Sequence, residues 1–155
     1  MLRIWKLCLG YRPKPLRWLR KWAQFSWMVI RLTSFGRLKR QGPALPVVVS
    51  LTTVPSRIHG VWLTLESLLQ QSYRPLVVYV VLSEMDFPKK KIPASLKRLL
   101  SRGVTVVWEP DDKGSYKKIL PALEAFPEMD VITVDDDALY LPRMIEEFLN
   151  RSVEC

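Results

Sequence analysis

Between Leu45 and Asn150 the chain alternates short, continuously apolar runs with segments whose apolar residues recur every three or four positions. The runs 47–51, 76–82, 104–108 and 131–134, rich in Val, Ile and Leu, predict four strands buried on both faces. The segments 61–71, 94–102, 115–126 and 142–150 predict helices; in the first, Val61, Leu65, Leu68 and Leu69 face inward. Buried strands alternating with helices imply a parallel sheet in a three-layer α/β/α, Rossmann-like arrangement, joined by right-handed crossovers. In such sheets ligands bind beyond the carboxyl ends of the strands. The loops to read are therefore 52–59, 83–86, 109–118 and 135–137, and they hold nearly every candidate site residue.

The first 45 residues follow another pattern. Wound at about 100° per residue, segment 16–31 places Arg17, Arg20, Lys21, Gln24 and Arg31 on one arc and Leu19, Trp22, Ala23, Val29 and Ile30 on the opposite one. This predicts an amphipathic helix, suited either to packing on the domain or to lying in the headgroup layer of an anionic membrane. Its longest uncharged stretch, Trp22 to Ile30, has nine residues, whereas a spanning helix takes about 20. Arg17, Arg20, Lys21 and Arg31 also interrupt any secretory signal pattern.

Charge sharpens this division into a 1–45 segment and a 46–155 domain. The net charge is +9, yet twelve of the 24 Lys/Arg and none of the 15 acids precede Glu66, so residues 66–155 carry a net −3. The basic character belongs to the amino-terminal segment, and no nucleic-acid-binding motif accompanies it; nucleic acid is not an expected partner. Length and an apolar fraction of 48% fit one ordinary globular domain. Cys8 and Cys155 stand at opposite ends of the chain, which disfavours a zinc site or a disulfide framework and fits a reducing compartment.

Two constellations carry chemistry. Asp135-Asp136-Asp137 follows the fourth strand directly. Three adjacent carboxylates repel one another unless a cation or hydrogen-bond donors offset the charge, and a hard divalent ion such as Mg or Mn is the natural oxygen-ligated partner. With Pro142 at the first position of the last helix the triplet lies too early to cap it, so the alternative to metal and ligand binding is a solvated acidic turn. Lys117 and Lys118 fall in the first turn of the 115–126 helix if Ser115 caps it, where the helix dipole favours anions; a diphosphate there would account for both. Ordinary solvated ion pairing with Asp111 and Asp112 is the alternative. His59, the only histidine, has no role beyond its place in the first of these loops.

The succession Val47-Val48-Val49-Ser50-Leu51-Thr52-Thr53, then Pro55-Ser56-Arg57, then Thr64-Leu-Glu-Ser-Leu-Leu-Gln-Gln-Ser-Tyr73-Arg-Pro75, followed by Ser115-Tyr-Lys-Lys and Val134-Asp-Asp-Asp, resembles the nucleotide-binding half of GT-A fold glycosyltransferases, family 2-like, with their DXD motif. The resemblance covers roughly residues 46 to 150. It implies a metal-dependent transferase domain that binds a nucleotide-sugar donor, of UDP-sugar type, and passes the sugar to a glycan or lipid-linked acceptor in polysaccharide assembly. By the same resemblance Thr52, Thr53 and Arg57 line the nucleotide pocket, and Glu84 lies near the base or ribose. Asp111 or Asp112 and one of Lys117 and Lys118 face the nucleotide. Asp135 approaches the ribose, Asp136 the sugar, and Asp137, with Asp135, holds Mn or Mg. Members of this family continue into an acceptor half that supplies a general base. Here the candidates after the triplet are Glu146, Glu147 and Glu154, so the catalytic base is unassigned and a catalytically incomplete donor-binding or scaffold protein is the second reading. The expected location is cytoplasmic, with the basic segment peripheral on the inner membrane face.

Overall fold

The computed structural model describes residues 44–111 and 114–153, together with Ser26. The amphipathic helix expected within 1–45 and Asp112 lie outside the described residues. Four strands, β1 (Ala44–Thr52), β2 (Arg74–Ser83), β3 (Val104–Glu109) and β4 (Asp130–Thr133), form one all-parallel sheet in the order β3-β2-β1-β4. Four α-helices connect and flank them: α1 (Val61–Leu69), α2 (Ala94–Leu100), α3 (Leu120–Ala125) and α4 (Met144–Val153). A 3-10 helix, Gly114–Lys118, precedes α3.

Strand alternation divides the core in two. Val47, Val49, Leu51, Val78, Val80, Leu82, Ile132 and Val134 face Leu65 and Leu68 of α1, Leu96 and Leu99 of α2, and Ile145 of α4. Val48, Tyr79, Val81 and Val131 face Ala122, Leu123 and Phe126 of α3 and its end. The second face is the one that the strand order demands. The chain steps outward from β1 to β2 to β3 with α1 and α2 on one face, then returns past β1 to β4, so a right-handed crossover puts α3 on the other face. Each fully buried Leu or Val contributes about 1.5–3 kcal/mol over an exposed one, enough to fix which face each helix covers.

Two helices begin later than the sequence pattern suggests. The expected 115–126 helix is broken into the 3-10 helix and α3 because Pro121 has no N–H to bond to Lys117, and its ring crowds that residue's carbonyl. Lys117 and Lys118 therefore stand at the end of the 3-10 helix and not in the first turn of a long helix. The last helix starts at Met144, not at Pro142. The Pro142 carbonyl accepts the Ser72 N–H (2.6 Å) and the Leu141 carbonyl accepts Gln71 Nε2 (2.8 Å), so this stretch is a turn tied to the end of α1. Among the described residues no helix is long and apolar enough to cross a membrane.

Candidate functional site at the carboxyl edge of the sheet

β1 and β4 are neighbours in the sheet although 78 positions separate Thr52, the end of β1, from Asp130, the start of β4. Their outgoing loops meet where the strand order reverses, the usual ligand crevice of an open parallel sheet. The acidic triplet continues the alternation of β4. Val134 points into the first core, and its N–H still bonds to the Ser50 carbonyl (3.0 Å). Two positions on, Asp136 turns to that same side and is 6% exposed, while Asp135 and Asp137 are exposed. The three carboxylates are thus split between two environments.

Asp136 is held from three directions. Thr53 Oγ1 donates to its Oδ2 (2.5 Å), Arg57 Nε forms an ion pair with the same oxygen at 3.0 Å, and Thr64 Oγ1 of α1 donates to its backbone carbonyl (2.8 Å). A buried carboxylate is tolerated only with such partners. Asp135 instead meets Lys118, whose Nζ lies 2.9 Å from Oδ1. Its backbone is fixed by Tyr140: the Asp135 N–H donates to the phenol oxygen (2.9 Å), and the phenol donates to the Asp135 carbonyl (3.3 Å). Burial, more than the surrounding carboxylates, pushes the Tyr140 phenol up to about 12, so at neutral pH it keeps the proton that this exchange needs.

Beneath these loops the second face of the sheet changes character. Toward the amino ends it is apolar, but at the carboxyl ends it presents Ser50 and Thr52 of β1, Ser83 of β2, and Glu109 of β3. Ser50 Oγ, Thr52 Oγ1 and Ser83 Oγ are buried with no hydrogen-bond partner. The 3-10 helix packs against β1 and β2. Its Lys117 ammonium, with a side chain 9% exposed, pairs with Asp86 Oδ2 at 3.2 Å across the loop after β2.

The sequence-derived site residues thus fall into three groups. Thr53, Arg57 and Asp136 form one network at the ends of β1 and β4, and Lys118 and Asp135 form a separate ion pair beside it. Thr52 lies on the opposite face of β1 with its hydroxyl unpartnered, and Lys117 is directed to Asp86. Glu84 pairs with Lys90 Nζ (2.7 Å), and Asp111 is exposed after β3. Sequence reasoning passed over Tyr140, Asp86, Ser83 and the polar stripe made by Thr64 and Ser67 of α1 with Gln71 just past its end. The stripe had a signal: three polar residues at helical spacing on the buried side of a helix. Tyr140 had none.

Among the described residues no three His, Cys, Asp or Glu side chains converge as a complete metal cage. Asp135 and Asp137 are two exposed oxygen donors on the open edge, a set that fits a hard divalent cation taking the rest of its shell from water and a bound ligand. No family model matches the chain, and no curated protein is detectably similar to it.

Proposed function

We propose that this chain is the nucleotide-binding domain of a GT-A type, family 2-like glycosyltransferase that takes a UDP-sugar with Mn or Mg and serves a glycan or lipid-linked acceptor. The observation that carries the reading is the carboxyl edge itself, where Arg57, Lys118, Asp135 and Asp137 come to the ends of β1 and β4 with side chains open to solvent in part or in full. Cationic and carboxylate side chains together on one open edge suit a phosphate-bearing ligand that carries a divalent cation.

Asp135 and Asp137 would hold the metal, whose contribution is to offset the charge that gathers on a departing nucleoside diphosphate. Lys118 adds a second positive charge at the same edge. Asp136 takes no part as a ligand: its carboxylate faces inward to Thr53 and Arg57. The basic amino-terminal segment would keep the domain at an anionic membrane surface, on the cytoplasmic side.

A donor-binding protein without turnover is the second reading, and one of the base candidates is already engaged. Glu146 is engaged by Ser72 Oγ (3.0 Å) and by Arg143, which hold its carboxyl below the usual carboxylate range and leave it a structural task. Calorimetric titration with UDP, UDP-sugars and other nucleotides, with manganese and with excess chelator, tests the shared premise. Metal-dependent binding of a uridine diphosphate compound is expected, and equal affinity under both conditions overturns it. Sugar release or transfer separates the two readings.

A further inference from the structure

We infer that Asp136 is a positioning residue that aims Arg57 at a phosphate group, so that the middle carboxylate of the triplet acts through an arginine and touches neither metal nor sugar. The inference rests on the nucleotide-binding reading of this edge and deepens it.

Arg57 is fixed at both ends of its side chain. Its N–H and that of Ile58 both bond to the Val54 carbonyl (2.9 and 3.0 Å), its own carbonyl accepts the Gly60 N–H (2.8 Å), and Ile58 anchors the turn in the core at 5% exposure. At the far end Nε pairs with Asp136, whose side chain is 4% exposed, while that of Arg57 is 51% exposed. Thr53 and Thr64 hold Asp136 in turn. Nε is thereby directed to the protein, while half of the Arg57 side chain stays open to solvent.

A planar fork of donors with its orientation already set is the arrangement that receives two phosphate oxygens at once, and the ordering entropy of a free arginine has been settled in advance. Asp136 is buried and Arg57 half exposed, so an incoming anion meets the arginine before the carboxylate. Asp135 and Asp137 are exposed on either side of Asp136 in the chain, so the ligand expected is a metal-bound diphosphate and not a bare anion.

The test uses magnesium pyrophosphate and uridine as separate probes of the full chain, titrated calorimetrically against the unaltered protein, Asp136→Asn, Arg57→Gln, Arg57→Lys and the Asp136→Asn/Arg57→Gln double variant. Asp136→Asn and Arg57→Gln should each weaken pyrophosphate by about tenfold, the worth of one charge-assisted hydrogen bond. The double variant should be no weaker than Arg57→Gln, because the two residues act as one unit, and uridine affinity should not move. Unchanged pyrophosphate affinity in Asp136→Asn, additive losses, or no pyrophosphate binding by the unaltered protein overturns the inference. If Asp136→Asn fails to fold, Arg57→Lys decides: loss close to that of Arg57→Gln supports an oriented fork, and retained affinity refutes it. UDP titrated in the same way, if it binds Asp136→Asn as tightly as the unaltered protein, removes the inference and leaves the nucleotide reading standing. Pyrophosphate binding through Arg57 without any nucleotide preference does the reverse.

Discussion

Replacing Gln71 with leucine should destabilise the domain by about 3 kcal/mol. Gln71 is 5% exposed and makes three hydrogen bonds: Nε2 donates to the Ser67 carbonyl (3.0 Å) and the Leu141 carbonyl (2.8 Å), and Oε1 accepts the Ile145 N–H (3.2 Å). The last bond caps the first turn of α4, where an N–H has no partner within its own helix. Each bond is worth about 1 kcal/mol net, and a buried group left unmade raises the cost further. Leucine matches the glutamine in bulk, so little cavity term enters. Leu141 O also accepts the Met144 N–H (3.0 Å), which limits the damage on that side. Against a typical domain stability of about 5–15 kcal/mol the loss is a large fraction. With a urea slope of about 1–3 kcal/mol/M, the midpoint should fall by 1 M or more, about the shift that tryptophan fluorescence resolves readily. Ser101→Ala is the control, since its 3.4 Å bond to Arg98 is exposed. A Gln71→Leu loss under about 0.5 kcal/mol would show that the tie between α1 and the β4–α4 loop carries no weight, and would refute the account of how that loop is held.

Lys118→Gln should tighten manganese binding in the absence of nucleotide, because the ammonium 2.9 Å from Asp135 Oδ1 competes with a cation for that oxygen; electron paramagnetic resonance of free manganese reads it, and a weaker or unchanged affinity contradicts the competition. Arg102→Met should cost about 1–2 kcal/mol in urea unfolding, since it strips Glu66, 9% exposed, of a two-point ion pair, with the partly exposed arginine holding the figure down. Glu146 has its pKa lowered on folding, first by the Arg143 hydrogen bond and then by Ser72, so its stabilisation is present above the ordinary value of 4.5 and lost as pH falls through the folded value. Thermal midpoints should therefore drop less steeply below that pH in Glu146→Gln than in the unaltered protein, and parallel curves would count against the pairing.

The sheet was legible because its strands are apolar on both faces, a pattern that survives every detail of packing. Val47–Leu51 and Val78–Leu82 lie in the core as the runs imply. Helix starts were less legible, since they turn on contacts distant in sequence: Ser72 and Gln71 occupy the carbonyls of Pro142 and Leu141 and delay α4. Pro121 could have been read as a break, yet the apolar periodicity from Ser115 to Phe126 overrode it. The expectation of a candidate site at the strand ends came from fold class alone. The roles within it did not, because three identical residues in a row hide the strand alternation that sends Asp136 inward and leaves Asp135 and Asp137 outside.

The loop that carries the acidic residues takes its shape from a helix about 70 positions earlier. Thr64 holds the Asp136 carbonyl, Ser67 Oγ accepts the Tyr140 N–H (3.1 Å), and Gln71 grips Leu141 and Ile145. The information for the loop's form is therefore written in α1, on a face that meets no solvent. Transplanting residues 134–145 into another parallel sheet would carry the carboxylates without their geometry unless those three side chains travelled too. By the same logic, the loop's outward residues are open to substitution without loss of shape, which leaves its chemistry free to vary on a frame that is not its own.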